Sequence, residues 1–224
     1  AQRVVICINM HDRTRGKFNG PPFKAGDCAK AYLISTGLTK RRALCFTMSV
    51  YDYSGYLGSL LSSMKMLYRE TLIFENVSSW DSQLSATTKQ RYANLLTAVA
   101  AIGSIDIPRC LVPIGGHIVT ETFPLLASIC DGSAICANTR IYLVRLPRVP
   151  IPGQVHHVSL IFSKSQLSAL NSATPPRSEL NACFLGAMAV SYLKNLLDFK
   201  ISSSLFVSDS KVAMAFVKSC ASYF

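Results

Sequence analysis

The chain has 224 residues, half of them hydrophobic and only 16% charged, and its 23 Lys and Arg against 12 Asp and Glu give a net charge of +11. That length and apolar content fit one large or two small packed domains and exclude wholesale disorder. The basic excess runs through both halves and points to an anionic partner, most simply nucleic acid, the plain alternative being a basic protein without one.

In chain order, a strand is expected from Arg3 to Ile8, followed by a polar region rich in turn residues, including Gly20-Pro21-Pro22. Apolar residues at helical spacing then predict a helix from Thr39 through Met48, broken at Tyr51-Asp52-Tyr53-Ser54-Gly55. A second helix is expected over Leu57 to Phe74, with Leu60, Leu61, Met64, Leu67, Tyr68 and Leu72 recurring on one side. Trp80-Asp81 marks a loop and Ala86 to Ile102 a third helix. Ile107-Pro108-Arg109-Cys110-Leu111 reads as extended, and Gly115-Gly116 as a boundary. These features divide the chain into a mainly helical segment, 1–112, and a second domain, 113–224.

Past that boundary the period changes. Phe123–Cys130, Ala137–Val144 and Val158–Ser163 read as strands joined by short polar or Pro/Gly connections such as Pro147 to Gly153, the pattern of an antiparallel meander. A helix from Arg177 or Ser178 to about Leu197 follows, then a strand at Leu205–Val207 and a helix starting near Ser210. Passing from the third strand through a helix to the fourth implies a parallel crossover. The fold class is therefore α/β with a mixed sheet.

None of the eight cysteines forms a C-x-x-C pair and several sit in apolar runs, which predicts reduced, buried thiols in an intracellular, cytoplasmic or nuclear protein. The cysteine and histidine spacings do not suit zinc, and the four histidines make no triad pattern. No uninterrupted stretch reaches the length of a membrane span, and the start lacks a signal-peptide layout. A charge content below the roughly 25% usual for soluble domains suits a piece of a larger protein with covered surfaces.

Acids are scarce after Pro113: only Glu121, Asp131, Glu179, Asp198 and Asp209. Asp131 closes the run Leu125–Cys130, Asp209 closes Ser204–Ser208, and Glu179 opens an apolar helix just after Pro175-Pro176. If the first and fourth strands are neighbours, Asp131 and Asp209 stand at adjacent strand ends. Glu179, on a helix face continued by Ala182, Cys183, Gly186 and Val190, turns toward the sheet. Three converging carboxylates repel one another unless a cation neutralises them, and hard oxygen ligands suit Mg²⁺ or Mn²⁺. Each acid also has a purely local reading: Asp209-Ser210 as a helix N-cap, Glu179 at the positive end of its helix, Asp131-Gly132 as a turn.

Six motifs in order resemble the reverse transcriptase and ribonuclease H region of BEL/Pao-type LTR retrotransposon polyproteins. Thr39-Lys40-Arg41-Arg42-Ala43-Leu44 with Tyr51-Asp52-Tyr53-Ser54-Gly55 is similar to that family's TKR…L…FDPLG, and Ile107-Pro108-Arg109-Cys110-Leu111 to its IPRCL. Cys130-Asp131-Gly132-Ser133 resembles its CDAS. Ser163-Lys164-Ser165, Pro176-Arg177-Ser178-Glu179-Leu180 and Ser208-Asp209-Ser210-Lys211 resemble AKSR, PRLEL and TDSK.

The resemblance implies a ribonuclease H-like mixed sheet preceded by a helical connection that follows the polymerase. It implies Asp131, Glu179 and Asp209 as catalytic and metal-binding carboxylates for Mg²⁺ or Mn²⁺, and two-metal hydrolysis of the RNA strand of an RNA–DNA hybrid. Arg177, Lys164 and Lys211 are the candidate nucleic-acid contacts, and the remaining parts of the polyprotein are further partners. The chain departs from the family in having Asp52-Tyr53-Ser54-Gly55 for Asp-Pro-Leu-Gly, Val207 for the aromatic two residues before the third acid, and no Tyr-x-Asp-Asp. The helix and strand that would carry a fourth acid are expected to be missing at the C-terminus. The alternative function is accordingly an inactive nucleic-acid-binding or scaffold remnant.

Overall fold

The strands of this chain run well past the apolar segments that announce them, because backbone pairing continues where the side chains turn polar. The computed structural model describes residues 3–5, 37–49, 52, 55–75, 79–102, 106–108, 122–147, 157–170, 174–197 and 199–221. In order these form β1 (Arg3–Val5), α1 (Lys40–Ser49), α2 (Gly58–Phe74), α3 (Ala86–Ile102), β2 (Asp106–Pro108), β3 (Thr122–Gly132), β4 (Cys136–Pro147), β5 (His157–Leu167), α4 (Pro175–Leu196), β6 (Ser203–Val207) and α5 (Lys211–Ala221). They divide into two compact units, residues 1–52 with 59–109, and residues 53–58 with 110–224. The boundary expected at 112, the Gly-Gly pair, Arg109-Cys110-Leu111, the Gly20–Pro22 turn region and the connection after Pro147 lie outside the described residues.

In the first unit β1 pairs antiparallel with β2, and the helical apolar pattern delivers Phe46, Met64, Leu67, Tyr92, Leu96 and Val99 to a buried core. The basic cluster Lys40-Arg41-Arg42 is partly tied up inside this unit. Arg41 grips Asp81 with two hydrogen bonds, 2.7 and 3.1 Å, and the guanidinium of Arg42 donates to the Gly37 carbonyl at 2.7 Å. The bond from Arg41 holds the Asp81 carboxyl below its usual range.

Tyr92 is fully buried against Phe46, and burial pushes its hydroxyl up to about 12. A tyrosine whose folded value exceeds its unfolded value of 10.0 favours the native state below that value, and the contribution is lost as pH rises toward 12. Alkaline unfolding, followed by circular dichroism between pH 10 and 12, is therefore expected to be steeper for the parent chain than for Tyr92→Phe.

The second unit is a four-stranded sheet in the order β5-β4-β3-β6. The β3–β4 and β4–β5 pairs are antiparallel and β3–β6 is parallel, with α4 making the crossover. This is the antiparallel meander plus parallel crossover that the sequence predicts. The α4 seam facing the sheet runs through Ser178, Ala182, Leu185, Gly186, Val190 and Leu193. It packs on Leu126, Ile141 and Leu143 at one end and on Cys130 and Ala137 at the other. The expected seam through Glu179 and Cys183 is thus slightly rotated: those two residues flank it and are half-buried.

Gly186 lets α4 sit this close, since a Cβ there would meet Ser128 Oγ at 2.6 Å and Cys130 Sγ at 2.7 Å. Ser128 hydrogen-bonds Thr139 at 3.2 Å and Cys130 at 3.4 Å, so the buried polar atoms beneath the helix satisfy one another. Beside β5, Gly55 takes φ +80°, and a Cβ would lie 2.0 Å from the Ser163 carbonyl oxygen. Only glycine combines that backbone conformation with so close an approach. Tyr56 reinforces the contact by donating its hydroxyl to the Leu160 carbonyl at 3.0 Å.

Candidate active site

Strand register decides where the first two acids stand. Ile129 of β3 pairs with Val207 of β6, and two residues further along each parallel chain are Asp131 and Asp209. Both carboxylates are exposed, at the same end of neighbouring strands. The paired run Leu125–Ile129 with Ser203–Val207 is what brings them level.

Glu179 reaches that strand end by another route. The helix α4 begins at Pro175, two or three residues earlier than the sequence predicts, so Glu179 lies at the start of the second turn rather than in the first. Two prolines can open a helix because the first N–H groups have no intrahelical acceptor to lose. The first turn closes with Ser178 N–H donating to the Thr174 carbonyl at 3.0 Å. Ser178 is buried and its hydroxyl meets that of Ser168 at 2.7 Å, while Ser168 Oγ donates to the Ser133 carbonyl at 3.2 Å. These bonds clamp the helix start onto the β3–β4 turn and the end of β5. Gly132 completes the seat: a Cβ there would lie 2.3 Å from the Glu179 backbone nitrogen.

What sequence reading missed is the bond between Ser210 and Glu179. The Ser210 hydroxyl donates to the Glu179 carboxylate, and its Oγ accepts from the Ala213 N–H at 3.1 Å. Ser210, not Asp209, therefore caps α5, because the helix begins at Lys211 and its Ncap is the residue just before. Asp209 is released from that local duty and stays an open carboxylate. A serine placed directly before an apolar helical run was the available signal, with Asp209 beside it an equally good cap by type. Ser210→Ala is expected to cost about 1 kcal/mol in urea denaturation through the lost cap, and to free the Glu179 carboxylate.

Around these acids the setting is uneven. Arg177 and Lys211 are exposed, each two residues from an acid. Lys164 is also exposed but pairs with Thr139, which lies under α4, so it belongs to the helix-covered face of the sheet. Burial, with the Cys130 thiol beside it, pushes the Cys183 thiol up and keeps it protonated at neutral pH. A cavity of about 650 Å³ opens between α4, β6 and α5, with Leu180, Phe184, Phe206 and Val217 in a mainly apolar lining that includes none of the three acids.

In kind, the donor set fits a hard divalent cation: three carboxylates and no thiolate. Among the described residues, however, no three His, Cys, Asp or Glu side chains are gathered closely enough to hold a metal ion. Asp131 and Asp209, being exposed, can change rotamer without displacing packed atoms.

A family model described as the Pao retrotransposon-like RNaseH-like domain matches residues 39–210. The chain belongs to this Pao family. Its mixed sheet, with strand order β5-β4-β3-β6 and a helical crossover, is the ribonuclease H-like arrangement that the resemblance implied. The Pao match begins at Thr39, the residue whose Oγ1 accepts the Arg42 N–H at 3.3 Å, and ends at Ser210, the cap of α5. A comparison with curated proteins returned no match. No helix among the described residues is long and apolar enough to cross a membrane.

Proposed function

We propose that this Pao-family module is a ribonuclease H-type endonuclease that hydrolyses the RNA strand of RNA–DNA hybrids, with Asp131, Glu179 and Asp209 as the carboxylates that hold Mg²⁺ or Mn²⁺. The observation that supports this reading is the level placement of Asp131 and Asp209 on paired parallel strands, with Glu179 clamped beside the same strand end. When bound, such cations would supply an activated water and neutralise charge on the departing oxygen of a phosphodiester.

The chain's own groups do the rest. Asp131 and Asp209 present open oxygens at one end of neighbouring strands. Ser210 orients Glu179, as a supporting hydrogen bond orients a ligand in other metal sites. Arg177 and Lys211 are proposed to meet substrate phosphates beside the acids, with Lys164 as a third cation on the helix-covered face. The module works in this reading as part of an intracellular polyprotein, with residues 1–112 as the connection from a polymerase.

Incubation of the chain with labelled hybrid in Mg²⁺ or Mn²⁺, against EDTA, tests the proposal. Cleavage confined to the RNA strand and abolished by EDTA is the expected result. The wide spacing of the three carboxylates, which among the described residues do not gather closely enough to hold a metal ion, favours the second reading, an inactive nucleic-acid-binding or scaffold remnant, and hybrid binding without turnover in either metal would establish it.

A further inference from the structure

The face of the sheet that α4 leaves uncovered carries a guanidinium close to the carboxylates. Directly paired residues share a face, and side chains alternate along each strand. Cys130 with Thr139, and Ser128 with Ile141, are buried under α4, so Asp131, its partner Asn138, and Arg140 turn to the opposite side. Arg140 pairs with Ile129 and is thus the diagonal neighbour of Asp131, at a separation of roughly 7–8 Å.

The rest of that face is asymmetric. At its β5 side Gly58 approaches closely, a Cβ there falling 3.3 Å from Ser165 Oγ and 3.4 Å from Ser163 Oγ. Toward β6 it stays open: Ile129, Leu205 and Val207 are all exposed. Arg140, itself exposed, lies between the closed and open parts, one strand over from Asp131.

We infer that Arg140 is a substrate-positioning residue that holds a backbone phosphate of the hybrid next to the one presented to Asp131 and Asp209. The inference rests on the ribonuclease H reading of those acids. A guanidinium offers a planar fork of donors that matches two phosphate oxygens. Phosphates recur about every 3.4 Å of axis along a strand, so a group one diagonal step, roughly 7–8 Å, from the carboxylates meets another phosphate of the strand rather than the same one. The sheet fixes the spacing, since Arg140 and Asp131 sit on hydrogen-bonded strands rather than on loops.

The test is equilibrium binding of a fluorescent RNA–DNA hybrid across a salt series in EDTA, with the parent chain, Arg140→Ala, Arg140→Lys and, as a distant basic control, Lys194→Ala. Arg140→Ala is expected to reduce the slope of log K against log salt by about 1, Arg140→Lys to restore it, and Lys194→Ala to leave it at the parent value. In Mg²⁺, Arg140→Ala is further expected to raise KM more than it lowers kcat. An unchanged slope for Arg140→Ala, or an equal loss for Lys194→Ala, overturns the inference while leaving the reading of the acids intact. A parent that binds the hybrid but never cleaves it overturns the nuclease reading, and the slope then decides Arg140 alone. A parent that does not bind the hybrid at all overturns both.

Discussion

Asparagine at Asp131 or at Asp209 is expected to slow RNA-strand cleavage by roughly 10³-fold, equivalent to about 4 kcal/mol of transition-state stabilisation. The two substitutions should behave alike because the residues are level on paired strands, each two positions past the Ile129–Val207 pair. Neither change should unfold the domain, since both side chains are exposed and neither makes a core contact. Single-turnover kinetics on labelled hybrid in Mg²⁺, with circular dichroism as the folding control, gives the answer. A parent-like rate for Asp209→Asn would falsify the assignment of this site. The double variant should lose little more than either single one, because groups that serve one centre are not additive.

Valine at Gly132 is the second large effect. A Cβ at this position would lie 2.3 Å from the Glu179 nitrogen and 2.4 Å from the Ser178 carbonyl carbon, both of them backbone atoms. Backbone cannot rotate aside as a side-chain tip can, so the start of α4 must lift from β3. Overpacking of this kind costs about 1–3 kcal/mol. It also loosens the bonds from Ser178 to Ser168 and from Ser210 to Glu179 that depend on the seating. The expected outcome is a lower urea midpoint together with a loss of cleavage larger than the stability change accounts for. The similar family motif carries alanine here, so Gly132→Ala should fold with a shifted helix start and give an intermediate loss. Full parent activity and stability for Gly132→Val would show that the helix start is not held as described.

The match between sequence and structure is closest where periodicity is long. Ala86–Ile102 is bounded as predicted, and Gly58–Phe74 differs from its expected start by one residue. In both helices, tertiary packing and local pattern agree. Strand limits are less legible: the apolar pattern ends β5 at Ser163, yet the strand continues to Leu167, and β4 runs on to Pro147. Polar residues such as Lys164 and Gln166 pair through their backbones, and hydropathy carries no record of that. The start of α4 departs from its expected position for a different reason. Paired prolines look like a stop, yet the first turn of a helix has no use for their missing N–H groups.

From sequence alone came the chemistry: three scarce carboxylates, a basic chain, and a change of period from helical to strand-like segments. The order of those segments was enough to imply a parallel crossover. Only the tertiary structure decided which residues act together. It gave the α5 cap to Ser210 and left Asp209 open, it swung the buried seam of α4 one position away from Glu179, and it set Arg140 beside Asp131 on the uncovered face. These are matters of register, and side chains alternate with a period of two along a strand. A shift of one residue would have sent Asp131 beneath the helix and Cys130 into solvent, a choice fixed by the pairing of strands far apart in the chain and by the packing of α4 upon them.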